Sequence, residues 1–435
     1  MKLPICRPVP AVTLRACFAG TVVLALVLLC TGCGDYFRPV AFPVVPVQPN
    51  PGFTHVAVVI SQNGTNNPGA STTIDVSGDS NVSQATVGLM PVHAALVASG
   101  TRVYVANRLD NTISEFGPTT PTPVTTISLP AGSAPAFVNT AESSNVYIAN
   151  AGSNTVSSIS VTTNVVTNTV QVGVNPVSIA ETPNAFKLYV ANAGNSTSVG
   201  SVSSINPVDL TVNAPVVASL TAPWVSPVWA VARNDSQRVY ILDNGSGFVS
   251  AINTANDTVV GAASVGVGGD YMIYDSVLNR VYVTNPAKGT LTSLDVSTDS
   301  LTATTVVVPN AVSVAALGDG TRVYVSSSAV SGSTVTSQVT VVRTADFSIK
   351  TTVPLGSAPV STACLEGTWS DSSIAASADY SRVYVGNCDA GNIAIIQTSD
   401  DTLALNLAAP LSAQPPEKQG GSPPPQNPVF VVAGP

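Results

Sequence analysis

Seven times along the chain a basic or polar residue is followed by a Val-Tyr-Val-like run and then by Asn or a small polar residue. Arg102-Val103-Tyr104-Val105-Ala106-Asn107 is the first copy and Arg382-Val383-Tyr384-Val385-Gly386-Asn387 the last, with five more beginning at Asn145, Lys187, Arg238, Arg280 and Arg322. The repeated tyrosines stand at 104, 147, 189, 240, 282, 324 and 384, so their spacings are 43, 42, 51, 42, 42 and 60. A basal period near 42 matches the roughly 40–45 residues of a four-stranded propeller blade. Helical repeats of that length would place apolar residues three and four apart, whereas this chain alternates and favours β-branched residues.

One unit can be read strand by strand. An apolar first strand such as Val312-Ser313-Val314-Ala315-Ala316-Leu317 precedes the turn Gly318-Asp319-Gly320 and the Tyr strand. A third strand such as Thr155-Val156-Ser157-Ser158-Ile159-Ser160 follows, and a fourth such as Val165-Val166-Thr167-Asn168-Thr169-Val170 leads to the next unit. Innermost strands are expected to be apolar on both faces and outer ones polar.

Composition agrees. Charged residues are only 9% of the 435, while hydrophobic residues reach 45% and are joined by 32 Gly and 33 Pro. That is a strand-and-turn mixture with ample core. Three of the 16 basic residues (Lys2, Arg7, Arg15) precede Cys33 and no acid does, which leaves 13 basic against 24 acidic residues beyond it, a net of −11. Such a surface repels nucleic acid, so no nucleic-acid partner is expected.

Arg280-Val281-Tyr282-Val283-Thr284-Asn285 and its six companions resemble the YVTN repeat of β-propellers, a family that includes surface-layer and exported bacterial and archaeal proteins. The resemblance spans about residues 55–412 and implies an all-β fold of four-stranded blades. Seven Tyr strands give seven units, preceded by an incomplete one with second, third and fourth strands at residues 55–61, 72–76 and 84–88. Pro428-Val429-Phe430-Val431-Val432 offers the missing first strand after a loose segment at 413–427. Eight blades closed by strands from both ends are therefore favoured, because closure removes exposed sheet edges. The alternative is seven blades with both ends outside the ring.

The N-terminus reads as an address. Lys2, Arg7 and Arg15 precede the apolar run 16–29, whose 14 residues fall short of the roughly 20 needed to span a bilayer. Cys30-Thr31-Gly32-Cys33 resembles the box of a bacterial lipoprotein signal, with Cys30 where Leu is usual. The resemblance implies cleavage of residues 1–32 and lipidation of Cys33. Gly34, where an Asp would favour inner-membrane retention, points to an outer-membrane anchor. Ordinary cleavage with release to the periplasm or outside the cell is the alternative. Residues 33–54, with five prolines from Pro39 to Pro51, read as an extended tether before a propeller domain at 55–435.

Candidate chemistry is sparse. The repeated Tyr is expected to pack between blades, the Asn to hold the turn after its strand, and Arg102, Arg238, Arg280, Arg322 and Arg382 to face solvent rather than form an anion ring. His55 and His93 fall at opposite faces of the disc, and Asp110, Asp243, Asp275 and Asp389 are scattered turn residues, so no metal or other cofactor is expected. Neither a phosphate loop nor a Gly-x-Ser-x-Gly elbow occurs. Cys364 and Cys388 are the two cysteines beyond Cys33; they fall at the same end of one blade and are expected to form a disulfide.

The period stretches around 195–200, 221–227, 328–337 and 358–372, all in loops or links that open on one face. Trp224, Trp229 and Trp369 lie in or beside these stretches. They mark either a partner-binding face or residues that plug gaps. The expectation is a monomeric, non-enzymatic envelope protein that binds a protein or glycan through this face. The competing class is a lactonase-like propeller hydrolase with a weak metal site.

Overall fold

Each Tyr-Val-x-Asn stretch becomes the second strand of an antiparallel meander. The computed structural model describes residues 55–140, 145–364, 370–410 and 426–434. Within them the seven strands are Val103–Asn107, Asn145–Asn150, Leu188–Asn192, Arg238–Asp243, Arg280–Asn285, Arg322–Ser331 and Arg382–Asn387. The described residues contain no helix. The expected signal at 1–32 and tether at 33–54, Cys33 with them, Trp369 and most of the expected loose segment at 413–427 lie outside the described residues.

The sheets number eight, and their innermost strands neighbour one another in a closed circle, which makes an eight-bladed β-propeller. Blade 1 is built from both ends: Asn427–Gly434 lies innermost, followed by Val56–Gln62, Pro68–Asp75 and Ser80–Leu89. Val58 faces Val432 and Ile60 faces Phe430 across the closing pair. The seven-bladed alternative is therefore not what forms. The inner strands of blades 2 to 8 are Pro91–Leu96, Pro135–Asn139, Pro176–Glu181, Pro227–Ala232, Tyr271–Asp275, Ala311–Ala316 and Ser372–Ala376.

Seven blades have four strands, whereas blade 4 has three. Its fourth place is taken by an irregular segment, in which Asn213 N–H donates to the Ser204 carbonyl (2.8 Å) and Val216 N–H to that of Val202 (3.1 Å). This is where the 51-residue spacing goes. The 60-residue spacing lengthens three strands of blade 7, Arg322–Ser331, Thr334–Arg343 and Ile349–Pro359, so that their paired ends extend beyond the usual blade length.

Burial differs from expectation in one respect. The second strand is the most completely covered, as in Val103–Asn107 where every residue is buried, while the inner strand Pro91–Leu96 is only partly so. Second strands have packed blades on both faces; inner strands border the axis. Fourth strands are mostly exposed, Thr302–Val307 being an example.

In five of its seven copies the repeat's Tyr hydroxyl bonds to the following blade, and so clamps the two together. Tyr104 Oη donates to Asn164 Oδ1 (2.9 Å) and Tyr189 Oη to Asp257 Oδ1 (2.5 Å), while Tyr324 Oη donates to Asp401. Each acceptor sits in the turn between third and fourth strands of the following blade. Asn164, Asp257 and Asp401 have φ of 56°, 58° and 59°, a left-handed conformation that favours Asn and Asp. The turn's backbone requirement thus supplies the clamp's acceptor.

The arginines do not simply face solvent, as expected from sequence. Arg238 Nε meets Asp299 Oδ1 at 2.7 Å and Arg382 Nε meets Asp79 Oδ2 at 2.9 Å, and Arg280 Nη1 donates to the Thr344 carbonyl at 2.6 Å. In each case the next blade's turn comes within reach of the side chain. Arg382–Asp79 joins blade 8 to blade 1 and so reinforces closure. Asp401 accepts from Lys350, Tyr324 and Arg322; burial alone would raise its pKa, but these donors together hold it below the usual carboxylate range.

Candidate functional site

One residue near the start of each inner strand, equivalent by register, contributes to a layer around the axis. In ring order from blade 1 these residues are Phe430, His93, Phe137, Ser178, Trp229, Tyr271, Ser313 and Ser373. All but one face the residue preceding the recurring Asn or its substitute in the second strand, as in His93 opposite Ala106 and Trp229 opposite Leu242; the exception, Phe430, opposite Ile60, belongs to the blade without a Tyr strand. His93 lies between Phe137 (ring centroids 4.0 Å) and Phe430 (4.2 Å). Trp229 reaches past Ser178 to meet Phe137 edge-on at 5.6 Å and packs on Tyr271 at 4.6 Å. Edge and tilted contacts of this kind suit the ring quadrupoles.

Three polar members of the layer repeat one bond. Ser178 Oγ accepts from Ala230 N–H (3.2 Å) and Ser373 Oγ from Val431 N–H (3.1 Å), in each case the inner strand of the next blade. His93 Nδ1 accepts from Val138 N–H (3.4 Å) in the same way. A backbone N–H can only donate, so this nitrogen carries no proton. Burial pushes the His93 pKa down to about 3, and the imidazole stays neutral in ordinary conditions. The two histidines do not meet: His55 begins outside the inner circle of strands, and His93 is enclosed in this layer rather than placed at a face.

Trp229 contributes to cavities on both sides of the layer. One, of about 380 Å³, includes Glu181, Ile273 and Tyr274 near the far ends of the inner strands. The other, of about 250 Å³, opens on the face that carries the interblade links. Its floor comes from Val92, Ala136, Val177, Val228 and Val429, each following a Pro at or next to the start of its inner strand. Proline is tolerated there because the strand is only beginning, where a ladder donor is not needed. Gln62, Arg108, Asp270 and Ser370 supply polar groups to this mouth. Gln62 Nε2 donates to the Pro91 carbonyl at 3.1 Å, which fixes the side chain.

Cys364 and Cys388 form a disulfide, as expected, and pack with Val429 beside the mouth. Asn427 Nδ2 donates to the Cys388 carbonyl (2.8 Å), so the bridge, the closing strand and the mouth form one structural unit.

The tryptophans separate. Trp229 does not stand on an exposed partner face but belongs to the axial layer, 7% exposed. Trp224 is half-buried between blades 4 and 5, and its Nε1–H donates to the Val216 carbonyl at 2.9 Å; it closes the place left by the irregular fourth strand. Trp224 thus fills a gap between blades, whereas Trp229 lines both axial cavities. The recurring Asn does more than hold its own turn. Asn107 Oδ1 accepts from Gly88 N–H (3.1 Å) of the preceding blade, and Asp243 accepts from Val225 and Ser226 N–H in the preceding link.

The scattered acids are turn residues. Asp110 accepts from Leu89 N–H, Asp275 from Val277 N–H and Asp389 from Ser361 N–H. Among the described residues, no three His, Cys, Asp or Glu side chains gather as a metal-binding group. What the sequence reading missed is the mouth. Its signal was the recurring Pro-Val or Pro-Ala at the start of five inner strands.

No protein-family profile matches the chain, and no curated protein matches it. Likeness comes from solved structures and shows the fold alone. Apo AztD from Citrobacter koseri is 10% identical, with a TM-score of 0.58 over 87% of this chain and 98% of that one. A "putative 6-phosphogluconolactonase" from Bacteroides fragilis is 13% identical, with a TM-score of 0.51 over 87% of this chain and 97% of that one.

Proposed function

We propose that this chain is a lipid-anchored cell-envelope protein of the YVTN-repeat type that binds an envelope protein or glycan as a monomer, through the mouth on its link face, and catalyses no reaction. The observation that carries the reading is the aromatic layer beneath the mouth, which leaves an apolar dish above packed rings. An apolar concavity with a few placed polar groups is the usual form of a binding site. Asp110, Asp243 and Asp389 are engaged by backbone amides, and of the acids only Asp270 lines the mouth among the described residues, so no pair of carboxylates flanks the dish as acid–base work on a substrate there would use.

The envelope address rests on the N-terminal signal and Cys33, and the disulfide accords with an oxidising compartment. Labelling cells with a palmitate analogue tests the anchor: label on the wild type and none on Cys33→Ala is expected, and an unlabelled wild type would refute it.

The binding reading is tested by capture from envelope extracts with the full chain in detergent. Val177→Trp fills the dish from its floor, and Val208→Trp places the same bulk on an exposed turn of the opposite face. The partner should be retained by wild type and Val208→Trp and lost by Val177→Trp at unchanged melting temperature. Equal capture by all three would sink the reading.

A further inference from the structure

The mouth has a charge preference that comes from what the rest of the molecule does with its basic residues. Eleven Lys and Arg side chains fall among the described residues. Seven of them are in ion pairs: Arg102, Lys187, Arg233, Arg238, Arg322, Lys350 and Arg382. Arg280 is bound to the Thr344 carbonyl, and Arg343 lies against Ser348 and the Ile349 carbonyl. All nine stand at the ends of strands opposite the mouth. Arg108 and Lys288 alone among the described residues have no side-chain hydrogen bond or ion pair, and both lie in loops between second and third strands, on the mouth face.

Arg108 is the one that lines the cavity. A guanidinium without a partner, beside an apolar floor, in a protein whose surface is otherwise net acidic, calls for an anion with an apolar body. Its planar fork matches a carboxylate bidentately. Asp270 lines the same cavity and opposes a second negative charge, which disfavours a phosphate dianion. The cavity of about 250 Å³ lies below the roughly 300–1,000 Å³ of sites for drug-sized ligands, so the body is about one ring or one branched chain.

We propose that the mouth binds a small monocarboxylate with a single-ring or branched aliphatic body. The carboxylate pairs with Arg108, and the body rests on Val92, Ala136, Val177, Val228 and Val429. This rests on the mouth being the binding site and goes beyond that reading by fixing the ligand's chemistry.

The probes are 3-phenylpropionate, 3-phenylpropanol and 3-phenylpropylamine, which share a body and differ in the head group. Saturation-transfer NMR with the full chain in nanodiscs reads binding, with empty nanodiscs subtracted. At about 0.3 kcal/mol per non-hydrogen atom, a ligand of this size binds with a Kd on the order of a few millimolar. The carboxylate should bind severalfold to about tenfold more tightly than the alcohol, since a charge-assisted pair exceeds a neutral one by about 1 kcal/mol. The amine should be weakest. Arg108→Ala should remove the preference for the carboxylate without shifting the melting temperature, and Arg108→Lys should keep part of it. Val177→Trp should abolish binding of all three probes.

Equal binding of acid and alcohol, or a preference that survives Arg108→Ala, would overturn the proposal, as would no binding of the acid at about 20 mM, several times the expected Kd. These failures are distinct from failure of the binding reading. If capture of the envelope partner is lost in Val177→Trp while the acid shows no preference, the mouth binds a partner by apolar contact and the carboxylate assignment falls alone.

Discussion

Replacing His93 by Phe takes an imidazole out of the axial layer while keeping a ring between Phe137 and Phe430. In the folded state burial lowers the His93 pKa to about 3 from 6.5. Unfolding releases the ring to water, where it takes up a proton below pH 6.5, so the unfolded state binds more protons across the window from about 6.5 to 3. Stability therefore falls as pH drops through that window and is fully present above it. At about 1.4 kcal/mol per pH unit, His93 alone removes roughly 2 kcal/mol between pH 7 and pH 5. His93→Phe also deprives Val138 N–H of its acceptor, a cost of about 1–3 kcal/mol that does not vary with pH. Urea denaturation of wild type and variant at pH 7, 6 and 5 separates the two effects. The variant should start less stable and lose less on acidification, the gap narrowing by about 2 kcal/mol. Parallel curves would refute the idea of a dry, neutral His93 in the layer.

Removing residues 427–435 takes the inner strand from blade 1, and with it buried Val429, Phe430 and Val431. At about 1.5–3 kcal/mol per buried side chain the melting temperature should fall sharply; an unchanged value would mean the ring is not closed by that strand. Exchanging both Cys364 and Cys388 for Ser opens a bridge between residues 24 apart and should cost about 2–4 kcal/mol, and wild type should show no reactive thiol from this pair before reduction. Asp401→Ala strands Arg322, Lys350 and Tyr324 around an empty place, with an expected loss of about 3 kcal/mol by denaturant titration. A loss under about 0.5 kcal/mol would mark the clamp as an ordinary surface contact.

Fold was legible in the chain because the repeat imposes it. Spacing near 42 and alternating β-branched residues set the blade, and the unpaired apolar strand at Pro428 to Val432 announced closure. The clamp partners were not legible, since Arg382 and Asp79 are 303 residues apart and nothing local links them. Arginine at a strand's edge looks like a solvated charge until the neighbouring turn is in place. Trp229 misled for a related reason. It sits next to a lengthened link, and only the register of the inner strand, with Trp229 opposite Leu242, sends it toward the axis. The mouth was hidden because its floor is made of unremarkable Val and Ala residues, one from each of five blades. Each is informative only when the others are beside it.

The central claim is that this protein meets its partner at the axial mouth. A photo-crosslinking residue placed at Val228 on the mouth, or at Val208 on the opposite face, tests this in intact cells with the full-length chain. The account predicts a discrete adduct of higher mass from position 228 and none from 208. Adducts of equal strength from both positions, or from 208 alone, would contradict it.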